Sequence, residues 1–244
     1  MKRYKVKLKH IALASIITIS QLACADESSL KKKIEAAYPK FKVESVVKTP
    51  YGNLYEVFMG GQIIYTDEKL TFLIAEGRLV DPKTKKDVTG ERLEELTRID
   101  FNSLPLDKAI KVVKGNGARK VAVFSDVDCP YCKRLEQNEL SHITDVTIYT
   151  FLYPLAQLHP NAAEKSKLIW CADDRVQAWN DWIFNNRLPS SAGDCEVPLE
   201  QVGDLARKIG VSSTPTLVFS DGKRMMGAQP YKAIEAALQD AAKQ

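Results

Sequence analysis

From Ser29 onward the apolar positions Leu30, Ile34, Ala37 and Tyr38 recur at helical spacing, behind a serine able to cap the first turn. Pro39 ends that helix. The pattern then changes to short strand-like runs at 42–48, 54–59, 62–66, 70–75 and 78–81. Turn-forming residues separate them at Pro50 to Asn53, Gly60-Gly61, Asp67-Glu68 and Glu76-Gly77. A strand-rich unit of about 55 residues with few large apolar side chains is marginal alone, so a partner, such as a second copy, is expected to supply burial. Residues 82–108 begin polar and turn-rich, become helical over 91–99 with Leu93, Leu96 and Ile99 on one side, and read as a connector.

The texture then changes. Strands are predicted at 109–113 and 120–124 around the turn Gly115-Asn116-Gly117, followed by a helix from Cys129 to Leu140 and a strand over 146–152. Helices follow at 162–172, 175–184 and 199–209. A strand at 215–219, a turn at Asp221-Gly222, a strand near 223–226 and a helix from Tyr231 complete the chain. This alternation predicts an α/β domain over 109–244 with a helical insertion, preceded by an α+β unit over 26–81.

The composition, 45% hydrophobic and 27% charged over 244 residues, excludes a collagen-like or disordered chain. The net charge of +4 is uneven. Five of the 35 basic residues lie within the first ten, and no acid precedes Asp26, so beyond that segment acids outnumber bases by one. The basic balance therefore makes no case for nucleic acid. Residues 1–25 read as a cleaved signal peptide: a basic start, the apolar stretch Ile11 to Ser20, then Ala23-Cys24-Ala25 ahead of Asp26. Lipoprotein processing at Cys24 is the alternative, with Gln21 where a lipobox favours leucine. Either route leads out of the cytoplasm, into an oxidising compartment that allows disulfides.

Four cysteines remain: Cys129, Cys132, Cys171 and Cys195. Cys129-Pro130-Tyr131-Cys132 follows the buried-strand run Val121 to Phe124 and opens a helix. A sulfur there meets unpaired N–H groups that favour its thiolate. Cys129 is the candidate nucleophile, and Cys132, one turn on, the residue that resolves a mixed disulfide. Lys133 and Arg134 add positive potential and Asp126 and Asp128 oppose it, leaving the sign of the sum open. A zinc site using Cys171, Cys195, His142 or His159 is the competing reading, but these residues form no second Cys-x2-Cys pair, and no metal or other cofactor is expected. A disulfide between Cys171 and Cys195 would contribute about 3–4 kcal/mol through the loop it closes. Free buried thiols are the alternative there. Trp170, Trp179 and Trp182 have the spacing of packed helix residues, and His142 and His159 receive no role.

Phe124 through Cys132, Ala163-Glu164-Lys165 through Ile169-Trp170-Cys171-Ala172, and Gly210-Val211 through Thr214-Pro215 together resemble the DsbC/DsbG family of periplasmic thiol–disulfide isomerases. The resemblance implies a thioredoxin-fold catalytic domain behind a small dimerisation domain (26–81) and a linker helix region (82–108), assembled as a homodimer. It implies that Thr214-Pro215 is cis and faces the active sulfurs, and that Thr214, Pro215 and Tyr131 contact substrate. Its substrates would be misfolded or wrongly oxidised secreted proteins, and its electron donor a DsbD-like membrane protein. The Pro-Tyr dipeptide is similar to DsbG, whereas a Cys171–Cys195 bridge is similar to DsbC. A disulfide isomerase and a DsbG-like chaperone or sulfenic-acid reductase both remain open on these residues. Val123 occupies the position where thioredoxin has a buried acid.

Overall fold

The computed structural model describes residues 19–243, with side chains from Asp26 onward. Most of the expected signal segment, and the side chain of Cys24, lie outside the described residues. The chain divides into two compact units at Thr89/Gly90, within the region read from sequence as a connector.

In the first unit, helix α1 (Ile19–Ala37) precedes an antiparallel meander of β1 (Val43–Lys48), β2 (Tyr55–Met59), β3 (Gln62–Thr66) and β4 (Leu73–Ile74). Helix α1 begins ahead of Ser29, so that serine lies within it and is not its cap. Leu30 and Ile34 pack on Val43, Val46, Tyr55, Val57 and Met59 as one apolar cluster. The expected strand at 70–75 contracts to two residues, and 78–81 contributes only an isolated bridge between Val80 and Asp87. The Tyr65 hydroxyl and Thr89 Oγ1 lie 2.7 Å apart and tie the end of the unit to its sheet. Helix α2 (Val88–Leu96) spans the division.

The second unit is a five-stranded sheet in the order β5-β7-β6-β8-β9: β5 (Ile110–Lys114), β6 (Arg119–Ser125), β7 (Val146–Leu152), β8 (Thr216–Phe219) and β9 (Arg224–Met226). Among the described residues, only β6 and β7 pair in parallel. Both faces of the central strands are covered, which explains their nearly continuous apolar runs. Val121, Val123, Ile148, Leu217 and Phe219 face one cluster with α7 (Tyr231–Ala241). Ala122, Phe124, Tyr149, Phe151 and Val218 face another with α6 (Leu199–Lys208). The insertion, α4 (Ala162–Trp170) and α5 (Arg175–Asn185), packs Ile169, Trp170, Trp179, Trp182 and Ile183 around Val127 and Leu152. All three tryptophans are therefore core. Gly222 adopts a positive φ in the β8–β9 turn, where a Cβ would run into the Ile99 carbonyl.

The helix expected from Cys129 to Leu140 is interrupted. Helix α3 covers Pro130–Arg134, and Leu135–Glu139 then winds as a π turn closed by Leu140 N–H on the Leu135 carbonyl. The added residue places Leu135 and Leu140, five apart, in the same apolar cluster, a spacing that a regular α-helix would not bring to one side.

Candidate active site

The loop from β6 to α3 carries the chemistry. Cys129 caps α3 in extended conformation, its N–H on the Asp126 carbonyl at 3.1 Å. Its own carbonyl accepts Cys132 N–H and Lys133 N–H, each at 3.1 Å. Pro130 takes the first helical position, where no amide donor is needed. Val127 is wholly buried, and its carbonyl accepts Trp182 Nε1–H at 2.7 Å, so the insertion anchors this loop from below.

Cys129 and Cys132 are both free thiols, and they differ in environment. Cys129 keeps 5% of its surface exposed and Cys132 none. A hydrogen bond from the Cys132 thiol is the strongest influence on Cys129. Burial opposes it, and hydrogen bonds from the Cys132 backbone, Thr214 and the Tyr131 backbone assist, bringing the Cys129 thiol down to about 5. Burial, together with that same shared hydrogen bond, pushes the Cys132 thiol far up. One sulfur is thus a ready anion and its neighbour holds the proton.

Thr214-Pro215 is a cis peptide, and the Thr214 carbonyl lies 3.5 Å from Cys129 Sγ. The next residue, Thr216, opens β8 beside β6, which is how a segment 85 positions away reaches the sulfur. Tyr131 is exposed, at 61%. Cys171 and Cys195 are joined as a disulfide between the end of α4 and the loop before α6, which removes both from any thiolate ligand set. His142 lies instead beside Tyr231, the two rings tilted with centroids 5.3 Å apart.

The two acids near Cys129 each have a partner. Lys165 Nζ bonds both oxygens of Asp128, at 2.7 and 2.9 Å. Asp126, with no exposed side-chain surface, lies 3.0 Å from His159 Nδ1. Hydrogen bonding to Asp126 holds the His159 imidazole above its ordinary range, against burial, with the charges of Asp126, Cys129 and Asp128 adding to the rise. Sequence reasoning assigned His159 nothing, and no local spacing links it to a residue 33 positions earlier. A third acid, Glu136, sits on the π turn. Burial pushes its carboxyl up to about 7 against Lys114 and a hydrogen bond with Trp179, and its Oε1 has no hydrogen-bond partner among the described residues.

Comparison with known proteins covers most of the chain. Residues 21–90 match the disulfide bond isomerase protein N-terminal domain, and residues 106–242 match a thioredoxin-like domain. A probable thiol:disulfide interchange protein DsbC of Bordetella parapertussis is 43% identical over 210 residues, covering 86% of this chain and 73% of that protein. The thiol:disulfide interchange protein DsbC of Escherichia coli is 25% identical over 92% of each chain. A crystal structure of a disulfide interchange protein from Neisseria gonorrhoeae superposes with a TM-score of 0.55 at 44% identity, covering 58% of this chain and all of that one. The chain therefore belongs to the DsbC-type thiol:disulfide interchange family and is a thiol–disulfide oxidoreductase with a thioredoxin-like domain behind a DsbC-type N-terminal domain.

Proposed function

We propose that the protein isomerises or reduces incorrect disulfides in secreted proteins through Cys129 and Cys132. The Cys129 thiolate attacks a substrate disulfide, forming a mixed disulfide and releasing the other substrate sulfur as a thiolate. A substrate thiolate then displaces Cys129, which completes isomerisation without net electron transfer. Alternatively, Cys132 loses its proton and attacks Cys129, which frees a reduced substrate and leaves the Cys129–Cys132 pair oxidised. The observation that carries this reading is the placement of two free thiols at the start of α3, Cys129 reaching the surface 3.5 Å from the Thr214 carbonyl and Cys132 wholly buried behind it, which lowers the first thiol and raises the second. Only the first is nucleophilic at neutral pH.

In this reading Thr214, Pro215 and Tyr131 line the place where the substrate chain meets the sulfur, and the Cys171–Cys195 bridge is structural. Residues 26–81 form the dimerisation domain of a homodimer, 82–108 the linker region and 109–244 the catalytic domain. The oxidised pair is returned to the dithiol by a DsbD-like membrane donor. The location is the periplasm, reached by cleavage of residues 1–25 or, alternatively, by lipid attachment at Cys24.

A second reading, a holdase with secondary thiol chemistry, is favoured by one feature of the first unit. Ile34, Tyr38, Phe41, Val57, Met59, Ile64 and Leu73 line an apolar hollow of about 290 Å³. Refolding of scrambled ribonuclease, run beside an aggregation assay, separates the readings. The double substitution Cys129→Ala, Cys132→Ala is expected to abolish recovery of ribonuclease activity and spare aggregation suppression. Undiminished recovery would refute the enzymatic reading.

A further inference from the structure

The groups around the sulfurs form a small charge cluster whose net charge depends on one side chain. From the β6–α3 loop come Asp126, Asp128 and Cys129. Helix α3 contributes Cys132 and Lys133, helix α4 contributes Lys165, and the segment after β7 contributes His159. Lys133 is directed to Trp182 and the Asn186 side chain. Asp128 is matched by Lys165. Asp126 is surrounded by donors: Asp128 N–H on Oδ1 at 2.8 Å, Leu155 N–H on Oδ2 at 2.6 Å, and the His159 ring at 3.0 Å. The backbone N–H of Asp126 points at Cys132 Sγ, at 3.4 Å. One buried residue therefore connects the imidazole to the resolving sulfur.

His159 is held in place and still open to water. Its N–H bonds the Leu155 carbonyl at 2.9 Å, its carbonyl accepts Ala162 N–H at 3.0 Å, and 22% of its side chain is exposed. With a neutral imidazole, Asp126 and Asp128 are balanced by Lys133 and Lys165, and nothing is left over to offset a sulfur that must become an anion. With a protonated imidazole the five groups Asp126, Asp128, Lys133, Lys165 and His159 carry one net positive charge, which matches the Cys129 anion.

We propose that His159 is a positioning residue for thiol–disulfide exchange, its proton being held by Asp126 so that reduction of the active-site disulfide takes up a proton at His159 as well as at Cys132. This rests on the reading of Cys129 as the exchanging sulfur. The balance is complete when the reductant is a dithiol. The donor is oxidised to its disulfide and releases two electrons and two protons. The electrons open the Cys129–Cys132 bond to one thiolate and one thiol. One proton goes to Cys132, and the other goes to His159 where the imidazole was neutral. Because coupling between two sites is reciprocal, a Cys129 anion that raises the affinity of His159 for its proton is itself stabilised by that proton to the same extent.

Two measurements on the full chain test this. The first is an NMR titration of the His159 ring in the disulfide and dithiol forms. The chain has only three histidines, and His142→Gln, away from the site, completes the assignment. His159 is expected to lose its proton at higher pH in the dithiol form, and identical titrations in the two forms would overturn the proposal. The second is the rate of Cys129 alkylation by iodoacetamide across pH in the wild type and in His159→Asn, which keeps an N–H donor for Asp126 and carries no titrating proton. The expected result is about three- to tenfold weaker Cys129 ionisation in the variant. Superimposable curves with an early-ionising Cys129 would sink the role of His159 alone, whereas a wild-type Cys129 ionising like free cysteine would sink the nucleophile itself. If His159→Asn does not fold, the first measurement decides.

Discussion

Asp128 and Lys165 are joined by two hydrogen bonds, so the acid immediately before Cys129 does not meet the thiolate as a bare charge. Lys165 also lies 4.8 Å from the centre of the Trp182 ring, whose indole N–H fixes the loop through Val127. Charge compensation and loop placement thus share one side chain. Lys165→Met keeps the aliphatic stem and removes the ammonium, which exposes the sulfur to Asp128. Cys129 ionisation is expected to weaken by a factor of about two to ten. The pH dependence of alkylation reads it, and Lys165→Arg is expected to restore most of the loss.

The largest influence on Cys129 is the Cys132 thiol. Hydrogen bonds to charged groups contribute about 1.5–3 kcal/mol, so Cys132→Ala is expected to raise the half-ionisation point of Cys129 from about 5 by roughly one to two units. The variant still attacks substrate and lacks the resolving sulfur. Mixed disulfides should therefore accumulate on non-reducing gels. An unchanged ionisation curve would show that backbone donors and Thr214 suffice.

Glu136 gives stability a pH dependence of opposite sense to ordinary acid unfolding. Its carboxyl binds a proton more tightly in the folded chain than in the unfolded one, because burial disfavours the anion. The stabilisation associated with that proton is complete below the unfolded value of about 4.3 and is lost as pH rises toward the folded value of about 7. Comparing urea midpoints of the wild type and Glu136→Gln should show the variant gaining relative stability across this interval and levelling off above it. A constant difference from acid to alkaline pH would refute the assignment.

The Cys171–Cys195 bridge closes a loop with a sequence separation of 24. The chain-entropy relation gives about 3.5 kcal/mol for a loop of that length. Cys171→Ala with Cys195→Ala should lower the denaturation midpoint accordingly while leaving the Cys129 ionisation curve in place. A shift of that curve would mean that the bridge also tensions the loop beneath Trp182.

Where the pattern was strongest, the sequence and the structure agree closely. Residues 146–152 form β7 with the bounds that the apolar run predicts, and Arg175 begins α5 behind Asp174, whose side chain accepts Gln177 N–H at 2.9 Å. Short or locally ambiguous segments differ more. The pieces around 70–81 lack enough apolar alternation to hold a full strand, and the π turn at Leu135–Glu139 is set by the need to bury two leucines five apart.

Local order along the chain was enough to mark a cysteine at a helix start with its resolving partner one turn away, since both lie in a single four-residue segment. It could not supply the company those sulfurs keep. His159 and Lys165 come to Asp126 and Asp128 from 33 and 37 positions away, and Thr214 to Cys129 from 85. Strand pairing in the sheet and the packed tryptophans of the insertion bring them there. Charge acts through distance in space and through the dielectric around it, and both of those are created only when the chain has folded.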